Sequence, residues 1–167
     1  MNKVFILIGL PGSGKSTWAK GKVTSNPNSY KRVNKDDLRA MMDCSHFSKQ
    51  NENFVLKMRD FLITSAIAEN RSVIVDDTHC AGKHIDHISN LVKDRAEVEL
   101  VFFNTPIEEC VRRDKLREGK ANVGVGVIKS MEKGWNEQRN LLTKYPHTIV
   151  EWEPEESQTE TIQHNPE

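Results

Sequence analysis

Apolar residues in this chain fall into short solid runs separated by longer amphipathic stretches. Val4–Leu10 (VFILIGL) is almost wholly apolar and rich in branched side chains. A run with no polar alternation predicts a strand buried on both faces, as in a parallel sheet. Ser72–Val75 and Glu97–Phe103 repeat the pattern, and Tyr30–Asn34 and Thr148–Trp152 read as shorter strands. The stretches between them carry helical signals. The chain turns helical through Thr17, and Lys35–Arg39 looks like a helix start, with Asn34 as N-cap and Asp36 and Asp37 in the first turn. Residues 44–51 are polar and read as a loop. Over Glu52–Glu69, Phe54, Val55, Met58, Phe61, Leu62, Ser65 and Ala66 lie along one stripe, expected to face the core. His84–Lys93 reads as a crossover helix. Pro106 opens another, with Ile107, Cys110 and Val111 inward and Gly119 expected to end it. Val123–Val127 reads as a flexible or strand-like connection, and Ile128, Met131, Trp135 and Leu142 mark a final amphipathic helix. Alternating strands and helices predict an α/β fold: a parallel sheet of four to five strands with helices on both faces and right-handed crossovers.

Composition narrows the class. The 167 residues suffice for one domain with a real core. No apolar run approaches the ~20 residues of a membrane span, and Val4–Leu10 is too short for a signal-peptide core, so a cytoplasmic protein is expected. Cys44, Cys80 and Cys110 are scattered with no CxxC pattern, which predicts reduced, space-filling thiols and neither a disulfide framework nor zinc. Formal charge is balanced, 24 basic against 24 acidic residues, but unevenly spread. Residues 153–167 hold five Glu and no Lys or Arg. That leaves a moderately basic body, residues 1–152, and an acidic tail expected to be disordered. A basic body suits a polyanionic substrate, and equally any protein that binds ATP.

The chemistry concentrates at Gly9–Ser16 (GLPGSGKS), which fits G-x-x-x-x-G-K-[ST] at every fixed position. Gly9, Gly12 and Gly14 allow the backbone to curl, with Pro11 and Ser13 between them, so that its N–H groups form an anion nest. The helix opened by Thr17 adds unpaired N–H groups and a partial positive charge. Lys15 can reach the β- and γ-phosphates of a nucleotide, and the Ser16 hydroxyl can serve Mg²⁺. Asp36 and Arg39, three apart, would share a helix face at the carboxyl ends of the strands, where ligands bind. Asp76 and Asp77 end an apolar strand, where nucleotide-binding loops of this type are paired with a magnesium carboxylate. Neighbouring residues point opposite ways on a strand, so only one can face the phosphates, and Asp76, acting through water, is the expected magnesium partner of Ser16. His79 reads as a loop residue. Five of the nine residues from Arg112 to Lys120 are basic. Arg113 and Arg117, four apart, suit contact with a transferring phosphoryl group and read as a basic lid around residues 112–124.

Taken together, IGLPGSGKSTWAK, NKDDLR, VIVDDTH and RRDKLREGK, in this order and spacing, resemble the kinase module of phage-type polynucleotide 5′-kinases, over about residues 3–140. The resemblance implies a P-loop kinase fold and transfer of the ATP γ-phosphate to a 5′-hydroxyl end of DNA or RNA. It implies Asp36 as general base, Arg39 on a phosphate of the nucleic acid, Asp77 as the functional carboxylate with Asp76 beside it, and Arg117 as lid arginine with Arg113 as helper. It leaves room for a ligase or separate phosphatase as partner, and for an oligomer. The family's asparagine after Asp-Thr is His79 here. Many members also carry a 3′-phosphatase domain with a D-x-D-G-T motif, which this chain lacks, so no phosphatase activity is expected. A small-molecule, nucleoside or modified-base kinase of the same class is the alternative. A non-catalytic nucleotide-binding module fits less well, because a switch has no need of Asp36 beside a basic lid.

Overall fold

The computed structural model describes residues 1–77, 82–119 and 122–154, without the side chains of residue 133 and residues 135–138. The expectations for His79, Cys80, the Trp135 side chain and the tail from residue 155 lie outside the described residues. Five strands form one all-parallel sheet in the order β2-β3-β1-β4-β5. They are β1 (Asn2–Ile8), β2 (Tyr30–Val33), β3 (Ser72–Val75), β4 (Ala96–Asn104) and β5 (His147–Glu151). The intervening helices are α1 (Lys15–Ser25), α2 (Lys35–Asp43), α3 (Lys49–Ala68), α4 (Gly82–Val92), α5 (Ile107–Lys115) and α6 (Val125–Arg139). The chain leaves β1 toward one edge for β2 and returns past β1 to β4 on the other side. The loop after β1 therefore sits at the point where strand order reverses, the ligand-binding position of open α/β sheets.

Burial follows the expected double-sided pattern. On one face Val4, Ile6, Ile8, Val73, Val75, Val98 and Leu100 pack against Val55 and Ile63 of α3 and Ile85 and Ile88 of α4. On the other, Leu7, Ile74, Val101 and Phe103 meet Ala19 of α1, with Trp18 edge-on to Phe5 and Phe103 at 6.3 and 6.1 Å between ring centres. A third cluster of Leu10, Cys110 and Ile128 joins α5 and α6 to the loop after β1.

Three expectations are corrected. First, α3 begins at Lys49, where the Ser48 hydroxyl accepts the Asn51 N–H at 3.0 Å, and its core face is Val55, Arg59, Ile63, Ala66 and Ile67. Phe54 and Phe61 are 52% and 60% exposed. The helix is turned by about one residue, or 100°, from the expected stripe, because Arg59, a charged residue, occupies the middle of its buried face. Second, α5 ends at Lys115, short of Gly119. Third, helix α6 already begins at Val125, inside the expected connection. The buried Asp114 explains its early start: the carboxylate accepts the N–H groups of Val123 and Gly124 at 3.0 and 2.8 Å, an N-terminal cap supplied from another helix. Among the described residues no helix is long and apolar enough to cross a membrane.

Candidate functional site

The phosphate-type loop has the conformation its glycines permit. Gly12 and Gly14 take φ +84° and +98°, a region costly for other residues. A Cβ on Gly12 would lie 2.5 Å from the Cys110 carbonyl, so this glycine also lets α5 close against the loop. The Thr105 hydroxyl, after β4, donates to the Ser13 carbonyl at 3.0 Å and holds the loop from the other side. Gly14 caps α1 without a side-chain bond, so the first-turn N–H groups face outward, a ready anion site. Lys15 is folded back into the loop, donating from Nζ to the Gly9 and Leu10 carbonyls at 2.7 and 2.8 Å. Burial pushes its ammonium down to about 8. Cys110, by the same physical cause, is pushed up to about 11 and is an inert space-filling thiol.

Among the described residues, two clefts open onto this loop. One, of about 510 Å³, is lined by Pro11, Lys15, Ser16, Asp36, Arg39 and Asp76, together with Arg117. The other, of about 620 Å³, is lined by the aromatic side chains of Trp18, Phe103 and Trp152 and by Arg113 and Arg117. Gly12, Gly14, Thr17 and Arg117 belong to both. Arg117 lies beyond the end of α5 and is exposed. Arg113 donates to Glu109 at 2.5 Å. Arg112 and Arg113 together, with Arg112 the stronger influence, hold the Glu109 carboxyl at about 2.

The first cleft's far wall is helix α2, held by several links. Asn34 accepts the Asp37 N–H at 2.9 Å, the N-cap read from the sequence. Its amide also donates to the Asp76 carbonyl. Arg39 is gripped side-on by Glu52 of α3, Nε to Oε2 and Nη2 to Oε1, both at 2.8 Å, and its Nη1 donates to Asp36 Oδ1 at 2.5 Å. A guanidinium has five N–H groups, so this fork retains donors for a ligand. Glu52 was not singled out in the sequence; only its position on α3, once the helix's rotation is known, reveals it.

The ambiguity of the two aspartates resolves. Asp76 lines the cleft, with Oδ1 3.3 Å from the Ser16 hydroxyl. Asp77 turns the other way. Its Oδ1 accepts the Lys35 N–H at 2.9 Å, Lys35 Nζ is 3.9 Å from Oδ2, and burial raises its pKa. Asp77 thus secures the start of α2 from behind, and the cleft carboxylate implied for it falls on Asp76. The Ser16 hydroxyl and Asp76 carboxylate are the hard oxygen donors Mg²⁺ prefers. A phosphoryl-transfer site needs only one or two of these, because substrate phosphates and water supply the rest.

A family model described as an AAA domain matches residues 4–138. The chain belongs to that family. Its P-loop kinase fold is shared with a chain of the Pnkp1/Rnl/Hen1 RNA repair complex, at 28% identity and TM-score 0.72, covering 86% of this chain and 46% of that one. The chain thus spans less than half the length of that protein. The APS kinase CysC of Mycobacterium tuberculosis, in complex with AMPPNP and APS, matches at 24% identity and TM-score 0.54, covering 69% of each chain. Shikimate kinase from Acinetobacter baumannii matches at 16% identity and TM-score 0.55, covering 92% of this chain and 85% of that one. These last two likenesses show the fold alone. In this family chain, the P-loop and its kinase-type fold imply a nucleotide site on the loop after β1.

Proposed function

We propose that this domain transfers the γ-phosphate of ATP to the 5′-hydroxyl end of a nucleic acid. The observation that carries the reading is the pair of clefts meeting at the phosphate loop. One has an aromatic wall suited to a nucleoside, and the other pairs a carboxylate with an arginine fork. The likeness to a chain of the RNA repair complex supports an RNA end as acceptor, with a ligase as partner.

In this reading the adenosine of ATP occupies the cleft walled by Trp18 and Trp152, and its phosphates run into the nest of residues 9–16. Lys15 exchanges the Gly9 and Leu10 carbonyls for phosphate oxygens, and a dianionic partner restores the charge that burial opposes. The Ser16 hydroxyl and the Asp76 carboxylate would hold Mg²⁺, which would supply charge neutralisation to the transferring phosphate. Arg39 uses its remaining donors on a phosphate of the acceptor strand and so fixes the 5′ end against Asp36. Asp36 accepts the proton of the 5′-hydroxyl as the new O–P bond forms. The bond to the β–γ bridging oxygen breaks, and that oxygen leaves on ADP with the electron pair. Arg117, placed over both clefts, balances charge on the phosphoryl group in transit, with Arg113 beside it.

The test is transfer of labelled γ-phosphate from ATP to 5′-hydroxyl oligonucleotides, offered as DNA and as RNA beside free nucleosides. Label on oligonucleotides alone is expected. Label on a small molecule, or on none of the acceptors, would overturn the acceptor assignment.

A further inference from the structure

Arg32 is absent from every expectation above, yet it links Asp76, which lines the first cleft, to helix α2. Its side chain is 17% exposed, on edge strand β2. Nε donates to Asp76 Oδ2 at 2.7 Å, Nη2 forms an ion pair with the same oxygen at 2.7 Å, and Nη1 pairs with Asp37 of α2. Asp76 is only 1% exposed, and its other oxygen, Oδ1, faces Ser16. The carboxylate that serves the phosphate side is therefore already half engaged by a permanent cation. The same cation reaches the helix that carries Asp36 and Arg39. Asn34 makes a parallel link, from the Asp76 carbonyl to the N–H of Asp37.

We propose that Arg32 is a positioning residue: it holds Asp76 with Oδ1 toward Ser16, offsets part of its charge, and ties it to the acceptor helix α2. The inference rests on the kinase reading for its consequences on turnover, but its consequence for metal binding stands apart from any acceptor. Two effects of opposite sign follow. A guanidinium on Oδ2 competes with a divalent cation for the charge of Asp76, so removing it strengthens the grip of Asp76 on Mg²⁺. Removing it also frees Asp76 to rotate and α2 to shift, so turnover falls. A residue that merely stabilised β2 would not tighten metal binding. Lysine keeps the charge but has no planar fork to span two carboxylates.

The experiment measures ADP affinity by titration calorimetry across a range of Mg²⁺, for wild type, Arg32→Gln, Arg32→Lys, Asp76→Asn and the Arg32→Gln/Asp76→Asn double variant, with steady-state kinetics alongside. Arg32→Gln is expected to lower the half-saturating Mg²⁺ at least threefold. Its kcat is expected to fall at least tenfold, with the KM for ATP within about twofold. Arg32→Lys should keep the wild-type Mg²⁺ dependence and still lose kcat, which keeps the test alive if Arg32→Gln does not fold. In the Asp76→Asn background the Mg²⁺ effect of Arg32→Gln should disappear. Unchanged or weaker Mg²⁺ dependence in folded Arg32→Gln would overturn the proposal, as would the same shift persisting without the Asp76 carboxylate. If wild type phosphorylates no 5′-hydroxyl, the kinase reading falls and the metal linkage alone decides Arg32.

Discussion

The two walls of the first cleft are built in different ways. The phosphate-loop corner comes from one contiguous stretch, residues 9–16, between β1 and α1, and its shape follows from glycines at fixed spacing. The opposite wall, proposed to take the acceptor, is a composite. Arg32, Asn34, Asp36 and Arg39 come from β2 and α2, Glu52 from α3, and Asp76 and Asp77 from the end of β3. The corner needs only local backbone geometry, whereas the wall needs four elements in register. A general phosphate site can thus be specified by a short segment. On the proposed function, what is phosphorylated would depend on long-range packing.

The largest expected effect breaks the wall and spares the corner. Asp36→Asn keeps shape and removes the carboxylate proposed as base, and positioned acid–base groups contribute roughly two to four orders of magnitude. Transfer to acceptor should fall by about that much, while ADP binding stays within about twofold of wild type. The pair of measurements is a rate assay and a calorimetric titration. Loss of ADP affinity would mean that corner and wall are one unit.

A change in pH probes the corner without mutation. Lys15 titrates at about 8 in the free protein, and bound phosphates favour its charged form. Below that value the ammonium is in place, and binding needs no added proton. Above it, binding must first charge Lys15, so affinity for ADP should weaken by up to about tenfold per pH unit from about pH 8 to the higher value of the bound state. Proton uptake on binding, read by titration in buffers of different ionisation enthalpy, checks the sign. A flat profile to pH 9.5 would remove the buried lysine from the phosphate site.

A third variant separates the wall's components. Glu52→Gln keeps the size of the side chain and removes the charge that grips Arg39. Hydrogen bonds to charged groups contribute ~1.5–3 kcal/mol, and partial exposure puts this case at the lower end. The KM for an oligonucleotide should rise about tenfold, with the KM for ATP unchanged. Arg39 holds the Glu52 carboxyl below the usual range. The clamp is therefore fully present above the ordinary carboxylate pKa and is lost only as pH falls through the lower folded value. Acceptor KM in wild type should be level between pH 7 and 5.5, and a rise across that window would count against the clamp.

What could be read from the sequence follows the same division. The strands, the order of helices, the Asn34 cap and the glycine loop were all legible, because each is set by residues within a few positions of one another. Arg32, Glu52 and Asp114 were not. Each is a charged residue in an unremarkable local pattern, and each acquires its partner only when distant elements pack. The choice between Asp76 and Asp77 required the pairing of β3 with β2, which sets Asp77 behind the first N–H group of α2 and leaves Asp76 toward Ser16. Arg59 misled the reading of α3 directly, since a buried charge at the centre of a core face breaks the apolar period that marks it.

That rotation of α3 is itself open to the smallest test. Glu52, Val55, Arg59 and Ile63 follow one another at spacings of three and four, so the helix face that enters the core also delivers Glu52 to Arg39. Ile63 is fully buried and Phe61 is 60% exposed. Ile63→Ala should therefore cost ~2–5 kcal/mol of unfolding free energy, while Phe61→Ser should stay within about 0.5 kcal/mol of wild type, both read from urea melts. If Phe61→Ser proved as damaging as Ile63→Ala, the helix would be packed through its Phe54–Phe61 stripe. Its first turn would then be turned by about 100°, and Glu52 would no longer meet Arg39. A helix separated from the phosphate loop by three elements thus sets the direction of the arginine fork in the first cleft, and the stability of two neighbouring side chains reports on it.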